Sequence, residues 1–271
     1  MKKAKKFLAL ILVGLFVFAA FAGCGTSTTD DAKATDAAND AQAADTAATA
    51  DGGKLIMATN ASFPPYEFKG DSGEIEGIDA EIAAKIAEKL GLALEIEDVD
   101  FGSIIGGVQT GKFDIGMAGM TVTDERKESV NFSETYATGV QVIIVPEGSD
   151  IKSAVDLQGK MIGVQQDTTG HIYSEDDYGK EFVTPYKTGN DAVQALVSGK
   201  VDAVIIDNEP AKSYVASNEG LQILETEYIT ENYAIAVAKT NTDLLEKINT
   251  ALAELKADGT IDQIIAKYIP A

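Results

Sequence analysis

The stretch GVQVIIVPEG, Gly139–Gly148, decides the fold. It reads as a long extended segment with no helix pattern in front of it, and it interrupts a regular alternation of strands and helices. Upstream, KLIMAT (Lys54–Thr59) is a short apolar run of the buried-strand type, broken by Pro64 and Pro65. GIDAEIAAKIAEKLG then places Ile78, Ile82, Ile86 and Leu90 four residues apart on one helical stripe, with Asp79 as the expected N-cap and Gly91 as the stop. LALEIEDV (Leu92–Val99) alternates as a strand, FGSIIGGVQTG forms a short helix ending at Gly111, and KFDIGMAGM is another strand. This rhythm predicts a parallel sheet with helices on its faces.

Downstream of Gly148 a second series begins with the strand MIGVQ and a helix from about Thr169. It continues through the helix NDAVQALVSG, the strand VDAVIID and the helix EPAKSYVASN. ENYAIAVAK (Glu231–Lys239) is again extended, and the C-terminal region supplies two helices split at Asp258 and Gly259. One α/β series is therefore inserted into another, with extended segments at both junctions. The expected architecture has a first lobe of residues 54–139 plus 235–271 and a second lobe of 140–234. Two crossing strands join them, which makes a hinge, and the cleft between lobes is where a small ligand belongs.

The region before Lys54 has a different composition. Lys2, Lys3, Lys5 and Lys6 precede the apolar run Phe7–Ala22, the pattern of a secretory signal over residues 1–23. Two ends of that signal compete: AFA at Ala20–Ala22 fits an ordinary cleavage site, whereas FAGC resembles a lipobox that would lipidate Cys24. Phe21 departs from the aliphatic residue usual in a lipobox. Cys24 is the only cysteine and has no partner for an internal disulfide. The segment that follows, to Gly53, lacks aromatic residues, Leu, Ile and Val, so it cannot bury enough surface to offset its ordering entropy. It is expected to be a flexible tether, so that residues 24–53 hold an exported domain off the outer face of the cell membrane.

The formal charge is −21 and becomes more negative once the four signal lysines are removed. That balance argues against nucleic acid, whose phosphates need clustered Lys and Arg. No Cys/His cluster is present to hold zinc, and no glycine-rich dinucleotide loop follows a strand, so neither metal nor cofactor is expected. His171, the sole histidine, lies in a polar context and is expected to be exposed and non-catalytic.

In an open α/β sheet a ligand lies beyond the carboxyl ends of the strands. The strand ends here are Asn60 to Phe63, Ala118 to Arg126, Gln165 to Gly170 and Asp207 to Glu209. Arg126 carries a planar fork suited to a carboxylate, unless it pairs with Asp124 or Glu128 on the surface. Asp207 ends an apolar strand, where a carboxylate needs a cation, unless it caps the following helix. Thr168, Thr169 and Gly170 stand at a helix start whose N–H groups can receive an anion, or are simply capped. Phe63 and Phe101 suit either the core or the walls of a pocket. This set is poor for making bonds and well suited to holding a zwitterion.

The motifs ATNASFPPYEF, GIDAEIAAKIAEKLG, GKFDIGMAGMTVTDER, NFSETY, GVQQDTTG, VDAVIIDNEPA and LKADGTIDQII occur in order between Lys54 and Ala271. With them the chain resembles the extracellular solute-binding proteins of polar amino-acid ABC transporters, the group called family 3. The resemblance implies the type II periplasmic-binding-protein fold, and a monomer that closes over an amino acid and presents it to a membrane permease. It implies that Arg126 clamps the α-carboxylate, assisted by Thr121 and the backbone at Thr168 and Thr169. Asp207 would receive the α-ammonium with the carbonyl of Gly119, Phe63 and Phe101 would flank the side chain, and Asn60, Ala118, Gln165 and Gly170 would select it. Many relatives carry an acid where this chain has Asn60, which favours a neutral polar ligand such as glutamine. A basic ligand such as arginine would need Asp167, Glu209 or water to compensate its charge. A dehydratase on the same fold would need a general acid or base in the cleft, and a sensory module would need a signalling domain.

Overall fold

The computed structural model describes residues 53–225 and 227–270; the expected signal, Cys24 and the tether lie outside the described residues. The chain opens with β1 (Lys54–Thr59), a small antiparallel sheet of β2 (Ser62–Phe63), β3 (Glu67–Lys69) and β4 (Ile75–Glu76), and helix α1 (Ile78–Leu90). It continues through β5 (Ala93–Asp98), a 3-10 turn at Phe101–Ser103, α2 (Ile104–Gln109), β6 (Ile115–Gly116), α3 (Asp124–Ser129) and β7 (Val130–Phe132). Ile78, Ile82 and Ile86 are fully buried, as the stripe requires. The helix stops at Gly91, whose φ of 67° is left-handed and favours glycine. Asp79 is not the N-cap. Gly77 holds that position, and Asp79 sits inside the first turn, fully buried with its carboxylate turned towards Gly119 and Tyr136.

Gly139 to Pro146 lie within β8 (Ala137–Pro146), with Glu147 and Gly148 in the turn after it; β9 (Ile162–Gln165), α4 (Thr169–Tyr178), β10 (Val183–Tyr186), α5 (Gly189–Val197), β11 (Ala203–Asp207), α6 (Asn208–Ser217) and β12 (Leu221–Ile223) follow. The expected extended run at Glu231 is two strands, β13 (Ile229–Tyr233) and β14 (Ala236–Ala238), and α7 (Thr242–Ala257) and α8 (Thr260–Tyr268) end the fold.

Two main sheets result. The first has the order β5-β1-β6-β14-β7, parallel at β5-β1-β6, with β14 antiparallel to both its neighbours. The second has the order β10-β9-β11-β8-β12, parallel at β10-β9-β11, with β13 added antiparallel to β8. Val142 to Val145 are buried on both faces of β8, the mark of a sheet covered on both sides. Val142 and Ile144 join Val204, Ile206, Val193 and Leu196 on one face, while Ile143 and Val145 join Val164 and Ile205 on the other. Helices α7 and α8 return to the first sheet, where Ile248, Leu252 and Leu255 pack with the α1 isoleucines. The two crossing strands pair with each other, Gln141 opposite Ile229 through to Ala137 opposite Tyr233. Both passages between the lobes therefore lie side by side in one ladder, so the lobes can pivot about it.

Candidate functional site

A cavity lies where the carboxyl ends of β1, β6, β9 and β11 converge. Every residue expected at the site lines it except Gly170, and Glu67, Gln141 and Ile206 complete the wall. Gly170 does not line the cavity; it packs α4 onto the second sheet, and a Cβ there would lie 3.0 Å from Gln141 Oε1 and 3.4 Å from Ile205 O. Its neighbour Thr168 caps α4 by accepting the His171 N–H at 3.3 Å. Helix geometry leaves the N–H groups of Thr169 and Gly170 without intrahelical acceptors.

Arg126 sits in the first turn of α3, where Thr123 accepts its main-chain N–H at 3.1 Å. Neither surface pairing considered for it occurs: Asp124 binds Lys127 at 3.1 Å, and the guanidinium turns inward instead. Nη1 donates to Thr121 O at 2.8 Å, Nη2 donates to Asp167 O at 3.2 Å, and the group lies over the Phe101 ring at 5.3 Å. Guanidinium has five donors, so these carbonyls orient the fork and leave three for an anion. Burial lowers its pKa and Glu231 opposes that shift; an arginine stays charged regardless.

Four carboxylates are buried among the described residues, and two of them, Asp207 and Glu67, line the cavity with Arg126. Asp207 occupies the N-cap position of α6 but makes no capping bond. It accepts from Tyr233 OH and, at 3.0 Å, from Gln141 Nε2. Burial, with Glu231 adding repulsion, pushes its pKa up to about 7. Glu231 accepts from Thr121 Oγ1 at 3.0 Å and Gln141 Nε2 at 3.1 Å, and its other oxygen has no partner. The Thr121 hydroxyl is thus engaged with Glu231, while its carbonyl holds Arg126.

Asp79 accepts from Gly119 N–H and Tyr136 OH, both at 2.8 Å, and burial raises its pKa to about 6. Glu67 is 1% exposed and receives no donor on either oxygen; burial, with the Asp79 carboxylate beside it and a hydrogen bond shared with that carboxylate, drives its pKa well above the carboxylate range. A buried carboxylate lacking donors is costly in its charged form. The wall is therefore arranged to receive positive charge.

The neutral wall is more self-contained. Gln165 Nε2 donates across the cleft to Asn60 Oδ1 at 2.9 Å, and Asn60 Nδ2 donates to Val99 O at 2.8 Å. Tyr214 OH of α6 also bridges the lobes, donating to Ser62 O at 2.5 Å. Phe63 and Phe101 are both at the boundary between core and pocket, and Phe63 stacks on Tyr66 at 5.9 Å. Gly119 has φ 52°, and a Cβ there would reach Phe63 Cε1 at 2.8 Å, so the backbone and the aromatic wall both require glycine. His171 is not exposed as expected; it is half-buried, Nδ1 accepting the Asp167 N–H at 3.2 Å and Nε2 lying 3.2 Å from Glu175.

Sequence reasoning missed Glu67, Gln141 and Glu231. Gln141 and Glu231 belong to the crossing strands, and Gln141 lies directly opposite Asp207 in the β8–β11 ladder. A usable signal was present: Glu231 and Tyr233 are two apart in a strand, so they share a face. Glu67 follows the Pro-Pro break and reads as loop until β3 buries it.

Comparison with known proteins follows from this geometry. A model of the bacterial extracellular solute-binding proteins, family 3, matches residues 55–271. The chain is 36% identical over 225 residues to the arginine-binding extracellular protein ArtP of Bacillus subtilis, covering 79% of this chain and 86% of that one. Among solved structures it is similar to an ancestral arginine-binding protein bound to glutamine, at 44% identity and a TM-score of 0.77, covering 80% of this chain and 98% of that one. An ancestral arginine-binding protein bound to arginine matches at 44% identity with a TM-score of 0.76 and the same coverage.

Proposed function

The chain belongs to the bacterial extracellular solute-binding proteins, family 3, and on that premise we propose that it binds a polar L-amino acid in the cleft and delivers it to an ABC-transporter permease. The observation that carries this reading is one anchored guanidinium, Arg126, lining the same cavity as two buried carboxylates, Asp207 and Glu67. Arg126 receives the α-carboxylate, helped by the free N–H groups at the start of α4, and Asp207 receives the α-ammonium with the Gly119 carbonyl. Phe63 and Phe101 flank the side chain, with Asn60, Ala118 and Gln165 beside it. The lobes divide as 54–139 plus 235–271 against 140–234, with β8 and β13 as the hinge. The protein acts as an exported monomer held to the membrane through Cys24, with residues 24–53 as its tether, and it carries out no covalent chemistry.

Within the polar amino acids, a basic side chain fits best. Gln165 already donates to Asn60, whereas Glu67 lines the cavity with no donor on either oxygen and gives up its proton when a cation arrives beside it. Glu209 is occupied by Lys212 at 2.6 Å, so Glu67, rather than Glu209 or Asp167, supplies the compensating charge. Glutamine is the second reading, favoured by the ancestral relative seen with that ligand. Calorimetry of the full chain against the twenty L-amino acids tests the proposal. We expect binding of arginine or glutamine that Arg126→Ala abolishes while circular dichroism stays unchanged. An absence of heat for every amino acid would overturn it.

A further inference from the structure

Asp167 is the one non-glycine residue with positive φ, 64°, among the described residues. The left-handed region is unfavourable for an L-residue, though Asp tolerates it better than most. It is held there by its surroundings. Its N–H donates to His171 Nδ1 at 3.2 Å, and Gln166 Nε2 donates to its Oδ2 at 3.2 Å. The turn aims the Asp167 carbonyl across the cleft at Arg126 Nη2. Arg126 and its other acceptor, Thr121 O, both lie in the first lobe.

Gly102, in the 3-10 turn of the first lobe, faces the Asp167 side chain. A Cβ on Gly102 would lie 2.1 Å from Asp167 Oδ2, 2.9 Å from Cγ and 3.2 Å from Cβ. The backbone of Gly102 is not left-handed, so its own conformation does not require glycine. What requires it is the close approach of the other lobe. The adjacent Phe101 carries the guanidinium on its ring.

We propose that Asp167 is a positioning residue for the arginine clamp: its left-handed turn brings a main-chain acceptor from the second lobe to Arg126, and Gly102 is the gap that admits it on closure. The guanidinium is then held from both lobes only when they are shut, so its orientation is coupled to closure. This inference rests on the reading of Arg126 as the grip on the ligand carboxylate.

The test is calorimetry of the full chain with L-arginine and L-glutamine, together with thermal melting without ligand. Asp167→Gly keeps the turn and should hold affinity within about threefold, whereas Asp167→Val, β-branched and averse to this conformation, should weaken it roughly tenfold. Gly102→Ala should weaken binding several-fold without lowering the ligand-free melting temperature, and Asp167→Gly in the same chain should restore it. Equal losses in Asp167→Gly and Asp167→Val would mean that the carboxylate acts, not the turn, and would overturn the inference. So would a Gly102→Ala penalty that persists beside Asp167→Gly, or one that lowers the ligand-free melting temperature. Arg126→Ala separates the two levels: undiminished binding there, or no binding of either amino acid to the unaltered chain, brings down the clamp itself. Loss in Arg126→Ala with full affinity in Asp167→Val removes only the present inference.

Discussion

Replacing Asp207 by Asn should move stability and binding in opposite directions. The carboxylate is 8% exposed and shares its surroundings with Glu231, and burial pushes its pKa up from the ordinary 3.8 to about 7 in the folded chain. An acid whose folded pKa is raised binds its proton more tightly when folded. The folded state is therefore penalised as pH rises from the unfolded value, and the penalty levels off above the folded one. At about 1.4 kcal/mol per pH unit, ionising Asp207 costs the empty protein roughly 3 kcal/mol more at pH 8 than at pH 5. Asn carries no such penalty and keeps an acceptor for Tyr233. Denaturant unfolding of the ligand-free chain should thus find Asp207→Asn gaining on the parent by an amount of that order between pH 5 and pH 8. Calorimetry at pH 8 should find amino-acid affinity reduced by about a hundredfold or more, because the ligand ammonium loses a desolvated charge partner. A stability difference that does not change with pH would show that Asp207 is not a strained carboxylate. Retained affinity would remove it from the binding site.

Three further outcomes are expected. Glu67→Gln should weaken arginine binding about tenfold or more while changing glutamine binding by less than about threefold, as calorimetry with both ligands reads out; equal effects would remove Glu67 from selectivity. Tyr214→Phe deletes the bond to Ser62 O and leaves that carbonyl without its donor only in the closed form, so ligand release measured by stopped flow should quicken by about fivefold. Gly119→Ala must place a methyl group against Phe63 at positive φ, and thermal melting should report a loss of roughly 1–3 kcal/mol.

The interlobe contacts also explain why binding and closure belong together here. Gln165 to Asn60, Tyr214 to Ser62 and Arg126 to Asp167 are each a single hydrogen bond across the cleft. Every one is small beside the water it replaces. On the proposed reading, an amino acid held by both Arg126 and Asp207 would join the lobes through charged groups, which are the stronger bonds.

Much of this protein is legible in the order of its residues. The isoleucine stripe of α1, the left-handed stops at Gly91 and Gly259 and the apolar run of β8 follow from local periodicity and backbone sterics, and those are properties of short segments. The change of rhythm at Gly139 suffices to separate two lobes, and strand ends suffice to gather Arg126, Asp207 and most of the cavity wall. Tertiary structure decided the rest. Asp79 looks like a cap in its own helix and becomes a buried partner of Gly119 and Tyr136, because only folding brings residues 40 and 57 positions away to it. Gln141 reaches Asp207 through the β8–β11 register, and Glu231 joins it through the pairing of β8 with β13. Glu67 lost its water to packing around it, and Gly102 faces Asp167 only when the lobes meet. Each depends on which distant segment lies alongside and in what register, and a one-residue slip would turn the same side chain to the opposite face.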